Sequence, residues 1–503
     1  MNRRNFTVIA SVFIAIFAAD LPAAEAPDMK SFNGGLIVHI GCGDGKLTAA
    51  MGANDKCIVH GLDTDAANVV RARQTVLDAG LYGKVTIDLL TGDKLPYIDN
   101  LVNLIVADDL GKVTMDEVMR VLSPYGTARI GGKKTVKPWP ADMGEWNHWL
   151  HGPDNNAVST DTRIGISRRL QWTMPPAWGR HHNLLPSLCA MVSAKGRIFC
   201  IIDEAPIAVK GTTARWALVA RDAFNGLVLW RKPIPNWGWR KWSAIQVGGT
   251  MRFKGPDQLF RRIVAVGDRV FYTPGFNEAV VAVDGATGKV VREYKGTENA
   301  SEILVSGKLL LLARNVHGDK PGKDILAVNS DTGEILWDAK GYRGVTSRGD
   351  ELKKFTDAYL TVGKKNVFFL NEEQIVAIDI KTGKEAWRAP RPEMQKGLLG
   401  HYDFEFKNFC SLVYNDGIVF LGQIDPKKTN LNGWQQKSME LQAHDASSGK
   451  LLWRHTGATL AHFTPPDLFV NKGLVWTMKV SSVALLGLDV RTGKIKKEYP
   501  VKD

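Results

Sequence analysis

The sequence predicts two folds in one chain: an α/β domain on a parallel sheet, then an all-β propeller of four-stranded blades. Three observations carry this. Strand and helix patterns alternate from Leu36 to Gly132, opening on a glycine-rich turn. Helical periodicity then disappears. From residue 220 onward one short motif returns six times, to the end of the chain. A length of 503 residues, 44% hydrophobic and 23% charged, suits two or three globular domains and points away from disorder.

The first element is not part of either fold. Arg3 and Arg4 precede an apolar stretch of 14 residues, Phe6 to Ala19, which is short for a membrane span. Small residues follow at Ala23, Ala24 and Ala26. Residues 1–26 read as a secretory signal, and "RRNF" partly matches a twin-arginine signal. The expectation is an exported protein, periplasmic or extracellular, with no transmembrane segment after cleavage. The five cysteines include no C-x-x-C pair, so a disulfide framework is not expected, although Cys189 and Cys200 could pair locally.

Residues 30–133 form the α/β domain. "GLIVHIG" is an apolar strand, "KLTAAMG" opens a helix, and "CIVHGLDTD" is a second buried strand. "AANVVRARQTVLDAG" has helical spacing and a glycine stop; strand, strand, helix and strand follow. The order implies a Rossmann-like parallel sheet of about five strands. "LIVHIGCGDGKL", with Gly41, Gly43 and Gly45, and Asp63 at the end of the second strand, resembles the cofactor loop of class I S-adenosylmethionine (SAM) methyltransferases. The later "LPY" and "MDEVMRVLSPYGTARI" resemble that family as well. The resemblance implies SAM as the cofactor of Gly41, Gly43, Gly45 and Asp63, the acid accepting ribose hydroxyls. The chain departs from the pattern in two places: His39 stands where the family commonly carries an acid, and Asn103 where the fourth strand often carries Asp. Asp93 and Asp108 could line the pocket, but no catalytic substrate motif is visible. A degenerate domain is therefore the expectation.

Residues 134–186 connect the folds. The stretch from Trp139 to Ser187 packs five Trp, four His (148, 151, 181, 182), Arg180, Asp154, Asn155 and Asn156 into text without clear periodicity. Such a segment is either a working surface or a packed plug. His148-x-x-His151 with Asp154 has metal-ligand residue types without a defined geometry, and no metal is expected.

Residues 187–503 carry the repeat. "ARDAFNGLVLW", "AVDGATGKVVR", "AVNSDTGEILW", "AIDIKTGKEAW", "AHDASSGKLLW" and "GLDVRTGKIKK" place turn glycines at 226, 288, 333, 383, 449 and 493. The glycine closes a tight turn, and four residues later Trp230, Trp337, Trp387 or Trp453 packs between sheets; Arg292 and Lys497 replace it in two copies. Six motifs imply about six to eight blades, with "RRLQW" (168–172) a candidate closing strand. The repeats resemble those of pyrroloquinoline-quinone-like (PQQ-like) propellers of the quinoprotein alcohol dehydrogenase type. The "W-x-H-W-L-H…NNAV" and "RHH" text is similar to exported members, some of which also carry a methyltransferase-like domain. PQQ itself is not expected: there is no Cys-Cys pair, no C-x-x-C-H and no clustered calcium set.

Inner strands of a propeller begin at one mouth of its channel, which groups Arg180, His181, His182, Arg261, Arg262, His401 and His462 as a ligand-binding set. With a net charge of +13, an anionic or sugar ligand is the expectation, with acidic polysaccharide or a cell-envelope component as partner. Nucleic acid is not expected in an exported chain without a recognition motif. The favoured reading is a binding or scaffold propeller with a degenerate methyltransferase-like domain. An active SAM-dependent methyltransferase and a propeller enzyme, quinone-dependent or carbohydrate-active, remain open alternatives.

Overall fold

The computed structural model describes residues 32–166, 169–173, 175, 188–204, 215–235, 244–247, 250–253, 259–317, 322–346, 356–391, 410–424, 437–459, 468–479 and 484–500. The expected export signal lies outside the described residues.

Apolar runs bounded by glycine turns form the first sheet. Its strands are β1 (Gly35–Ile40), β2 (Cys57–Asp63), β3 (Val85–Leu89), β4 (Val102–Ala107), β5 (Leu122–Ile130) and β6 (Lys133–Val136), in the order β3-β2-β1-β4-β5-β6. β1 to β5 are parallel. β6 pairs antiparallel with β5, so the sheet has six strands and runs on into the expected connecting segment. Central β1 and β4 are covered on both faces, which is why they read as continuous apolar runs. Helices α1 (Lys46–Met51), α2 (Ala66–Asp78) and α3 (Met115–Val121) connect the strands. α2 and α3 start on side-chain caps, Asp65 accepting the Ala67 N–H and Thr114 the Glu117 N–H.

The described strands then form six antiparallel blades of four strands each, the last two joined in one eight-stranded sheet. Their inner strands are Leu188–Ala194, Ile263–Val266, Ala300–Ser306, Thr361–Val362, Cys410–Asn415 and Phe469–Asn471. Their outer strands are Val228–Pro233, Val290–Glu293, Ile335–Tyr342, Glu385–Pro390, Leu451–Thr459 and Ile495–Pro500. A buried apolar cluster fills each junction from blade one to blade six.

The repeat motif works as a ball-and-socket between blades. Trp230, Trp337, Trp387 and Trp453 donate Nε1–H to Gly285, Ile380, Ala446 and Val490 carbonyls at 2.9–3.1 Å. Each ring lies on the turn glycine of the next blade; a Cβ at Gly449 would sit 2.6 Å from the Trp387 ring. Arg292 does the same for Gly333, bonding Thr332 O at 2.9 Å. Blade one receives its tryptophan from outside the repeat: Trp172 covers Gly226 and bonds Ala223 O at 3.0 Å. Residues 169–173 form no strand, so "RRLQW" contributes a packing ring rather than a closing strand.

Inner strands all start at one face, the mouth, and end at the other. The connecting segment closes that far end. Trp146 exchanges bonds with Ser193 of blade one (2.7 and 2.9 Å), and Asn147 O accepts Ala265 N–H of blade two at 3.0 Å. His148 Nε2 accepts Val305 N–H of blade three at 3.0 Å. Pro153 O and Asp154 O accept Val362 and Tyr414 N–H of blades four and five (2.8 and 2.9 Å). Asn156 pairs both ways with Val470 of blade six, at 2.9 Å each. An inner strand leaves its edge groups unpaired on the channel side, and residues 146–156 satisfy one blade after another in chain order. Residues 146–156 of this segment thus form a packed plug.

The α/β domain docks on blade one through the starts of its strands. Asn103 Nδ2 donates to Asp222 at 2.6 Å, and Asn225 donates to Asn103 Oδ1 at 2.7 Å and Leu101 O at 3.1 Å. Trp139 stacks on Tyr125 with 5.4 Å between centroids and meets Phe224 at 6.2 Å. Cys42, Cys57, Cys200 and Cys410 are free thiols, which rules out a Cys189–Cys200 disulfide.

Candidate functional site

The α/β domain presents its glycine loop at the opposite, C-terminal edge of the sheet. Gly41, Gly43 and Gly45 have φ of 74°, 56° and 81°, a region costly for residues with a Cβ. Their surroundings differ. A Cβ at Gly45 would lie 2.7 Å from Ala72 Cα, so this glycine lets α2 approach. A Cβ at Gly41 or Gly43 meets nothing within 4 Å, so these two border open space. The buried Asp63 carboxylate accepts Gly43 N–H at 2.8 Å, Asp65 N–H at 2.9 Å and the Asn68 amide at 3.1 Å. Burial pushes this carboxyl up, but those donors outweigh it and hold it below its usual range. A fourth donor, the Thr64 N–H, also lowers it, so a ribose hydroxyl would share the carboxylate with donors already in place. The cradle fits SAM: Gly41 and Gly43 would supply backbone and space, and Asp63 an acceptor for ribose hydroxyls.

Groups for chemistry are less evident there. His39 is buried, and its Nδ1 is 2.7 Å from Thr48 Oγ1. Burial lowers its pKa, partly offset by Asp108 and Asp63, so the ring is neutral and ties β1 to α1. Asp93 and Asp108 are exposed. Cys42 is buried beside the loop, its thiol pushed up to about 11 by burial. SAM, when bound, would supply an electrophilic methyl group, and Gly41, Gly43 and Asp63 would hold it at that edge.

At the mouth, Arg180, His181, His182, His401 and His462 lie outside the described residues. Arg261 and Arg262 are described, and neither lies at the surface. They are 5% and 1% exposed. Arg261 lies 3.9 Å from Glu302, 3.4 Å from Asn155 Oδ1 and over the Tyr359 ring. Arg262 donates to Phe276 O at 2.9 Å and sits 4.5 Å above that ring. Both are held by internal partners, because the short 3-10 turn Leu259–Arg262 aims them inward ahead of the strand.

They belong to a larger buried cluster that sequence reasoning missed. Glu302 accepts the N–H groups of Ala358, Tyr359 and Leu360 at 2.7–2.8 Å. Lys323, fully buried, donates to Ser301 at 2.8 Å and Asn315 at 2.6 Å. Burial lowers its pKa to about 8, with Asp357 and Glu302 opposing. Arg391 donates to Gln423 at 3.1 Å and faces Cys410, which also feels Asp357. The available signal was a charge opening an apolar strand, as in "SEILVS" and "GKDILAV". Glu302 and Asp357 are the carboxylates that act on Lys323, Glu302 also lies beside Arg261, and Arg391 and Asp357 both act on Cys410. His148, His151 and Asp154 do not assemble a metal site: His148 Nε2 is spent on Val305, and no metal-binding group occurs among the described residues.

The fold defines a class: a bladed propeller carrying a Rossmann-like domain of methyltransferase type. The family model described as outer membrane protein assembly factor BamB matches residues 217–400 and 324–503, more than half of the chain, and the chain belongs to this family of PQQ-like propellers. A methyltransferase domain model matches residues 37–126. Among solved structures, BamB from Moraxella catarrhalis is similar at 13% identity, covering 64% of this chain and 88% of that one, with a TM-score of 0.34. A SAM-dependent methyltransferase from Aquifex aeolicus is similar at 24% identity over 19% of this chain and 55% of its own, with a TM-score of 0.18. The cyclase SpnF is similar at 22% identity over 19% and 38%, with a TM-score of 0.18. The chain thus spans about half or less of the methyltransferase-like structures it matches. A comparison with curated proteins returns no match. No described helix is long and apolar enough to cross a membrane.

Proposed function

We propose that the protein is an exported binding propeller of the cell envelope that takes an anionic ligand, an acidic glycan or envelope polymer, at its mouth. One observation carries this: four buried cations, Arg261, Arg262, Lys323 and Arg391, lie near two buried carboxylates, Glu302 and Asp357, on the mouth side of the plug, whose Asn155 Arg261 reaches. Buried charge in a low-dielectric setting projects a strong potential at the nearest opening. The plug fills the far end, so a ligand meets a rigid face rather than a bore. The methyltransferase-like domain serves as a docked companion that keeps a cofactor cradle without methyl transfer.

Titration calorimetry with polygalacturonate and neutral dextran tests the reading. Binding of the acidic polymer alone is expected, weakened about tenfold in Arg391→Gln and Lys323→Met proteins whose circular dichroism is unchanged. Equal binding of dextran, or none of polygalacturonate, would sink it. The intact glycine cradle favours a second reading, SAM binding with activity.

A further inference from the structure

The plug face carries a second candidate site, independent of the mouth. An open pocket of about 300 Å³ lies between the plug, a blade-five turn and the Asn471–Gly473 turn of blade six. That is the lower end of small-ligand pockets. Non-glycine residues in the left-handed region shape it: His151 and Lys472 line it with φ of 70° and 50°, and Asn155 beside it has 57°.

The polar groups converging there are unusually uncommitted. The side chains of Asn415, Asn471 and Thr160 make no hydrogen bond among the described residues, although all three line the pocket. Asn156, by contrast, is spent on Val470 and serves as wall. His151 is half-buried with its ring edge-on to Trp146, 5.2 Å between centroids. Burial keeps it neutral, so it offers one donor and one acceptor. Asp154 accepts the Asn156 N–H at 3.2 Å and keeps further acceptor capacity. Val158 and Val470 supply apolar walls.

The charges select among ligands. Asp154 and Lys472 are the pocket's carboxylate and its ammonium, and they balance. An anion meets Asp154; a cation meets Lys472 with only that one acid to hold it. A nucleotide needs more room and an aromatic face. A ligand dense in hydroxyls, with one weakly apolar face, matches two amides, a hydroxyl, an imidazole and a carboxylate. We propose that this pocket binds one neutral pyranose unit, with Asn415, Asn471 and Asp154 reading its hydroxyls.

Saturation-transfer NMR on the full chain provides the test, with glucose, galactose, mannose, N-acetylglucosamine and glucuronic acid as probes. At least one neutral sugar should show saturable transfer with a Kd of about 1 mM, tenfold weaker or lost in the Asn415→Ala/Asn471→Ala protein. Neither side chain has a hydrogen-bond partner among the described residues, so thermal stability of that variant should match the parent. Absence of transfer from every neutral sugar at about 20 mM overturns the proposal. So does preference for glucuronic acid, or transfer unchanged in the double variant.

Discussion

Asn103 shows how a departure from a family pattern acquires a physical reason. In the sequence it is only a missing acid. In the fold its Oδ1 accepts Leu36 N–H at 2.8 Å and its Nδ2 reaches Asp222 at 2.6 Å, in the other domain. Burial pushes the Asp222 carboxyl up, with Asn103 among the donors opposing it. An acid at 103 would face that carboxylate at hydrogen-bond distance. We expect Asn103→Asp to destabilise the protein by about 1–3 kcal/mol in urea unfolding at pH 7. Asp222→Asn in the same chain should recover much of the loss, which a double-mutant cycle reads directly. Additive losses would mean that charge repulsion is not the cause. The partner lies 119 positions away, so no local spacing pointed to it, whereas the roles of Gly41, Gly43 and Gly45 were legible because strand, turn and helix are neighbours in the chain.

The same division holds for elements. The blades were legible: a tight turn and a tryptophan four residues later repeat with the chain, and the socket each ring fills is the next copy of the motif. The plug was not, since it has no period of its own and borrows order from six strands up to 314 residues away. His148 is its most exacting member, 2% exposed, with Nε2 as acceptor and the proton therefore on Nδ1, which meets no acceptor among the described residues. Burial lowers its pKa to about 3, the neighbouring His151 adding to this. The folded state holds the neutral ring, so its contribution is full above the ordinary value near 6.5 and is lost as pH falls toward about 3. Across that window the unfolding free energy should fall by about 1.4 kcal/mol per pH unit through this residue alone. Paired carboxylates add to acid lability at lower pH, so the difference between parent and His148→Gln is the useful quantity. Gln keeps an acceptor for Val305 and does not titrate. Its stability profile should be flatter by one proton between pH 4 and 6; parallel profiles would show that the imidazole is not the titrating group.

At the scale of the whole molecule, the two domains meet at the starts of β1 and β4, and the glycine cradle sits at the ends of those strands. Six residues of strand separate the two, about 20 Å at 3.3 Å per residue. Docking therefore leaves the cofactor edge uncovered by the described propeller, and cofactor binding and propeller stability should be uncoupled. SAM titrated into the full chain should bind at the cradle and raise only the thermal transition of the α/β domain. Gly43→Ala is the informative variant. Its methyl meets no protein atom within 4 Å, so the fold pays about 1–2 kcal/mol for the φ of 56° and nothing for packing. The same methyl enters the space a ligand would fill, and SAM affinity should drop at least tenfold. No heat from SAM at about 1 mM in either protein would leave the cradle as inherited architecture, its glycines kept for the turn and for Ala72 alone.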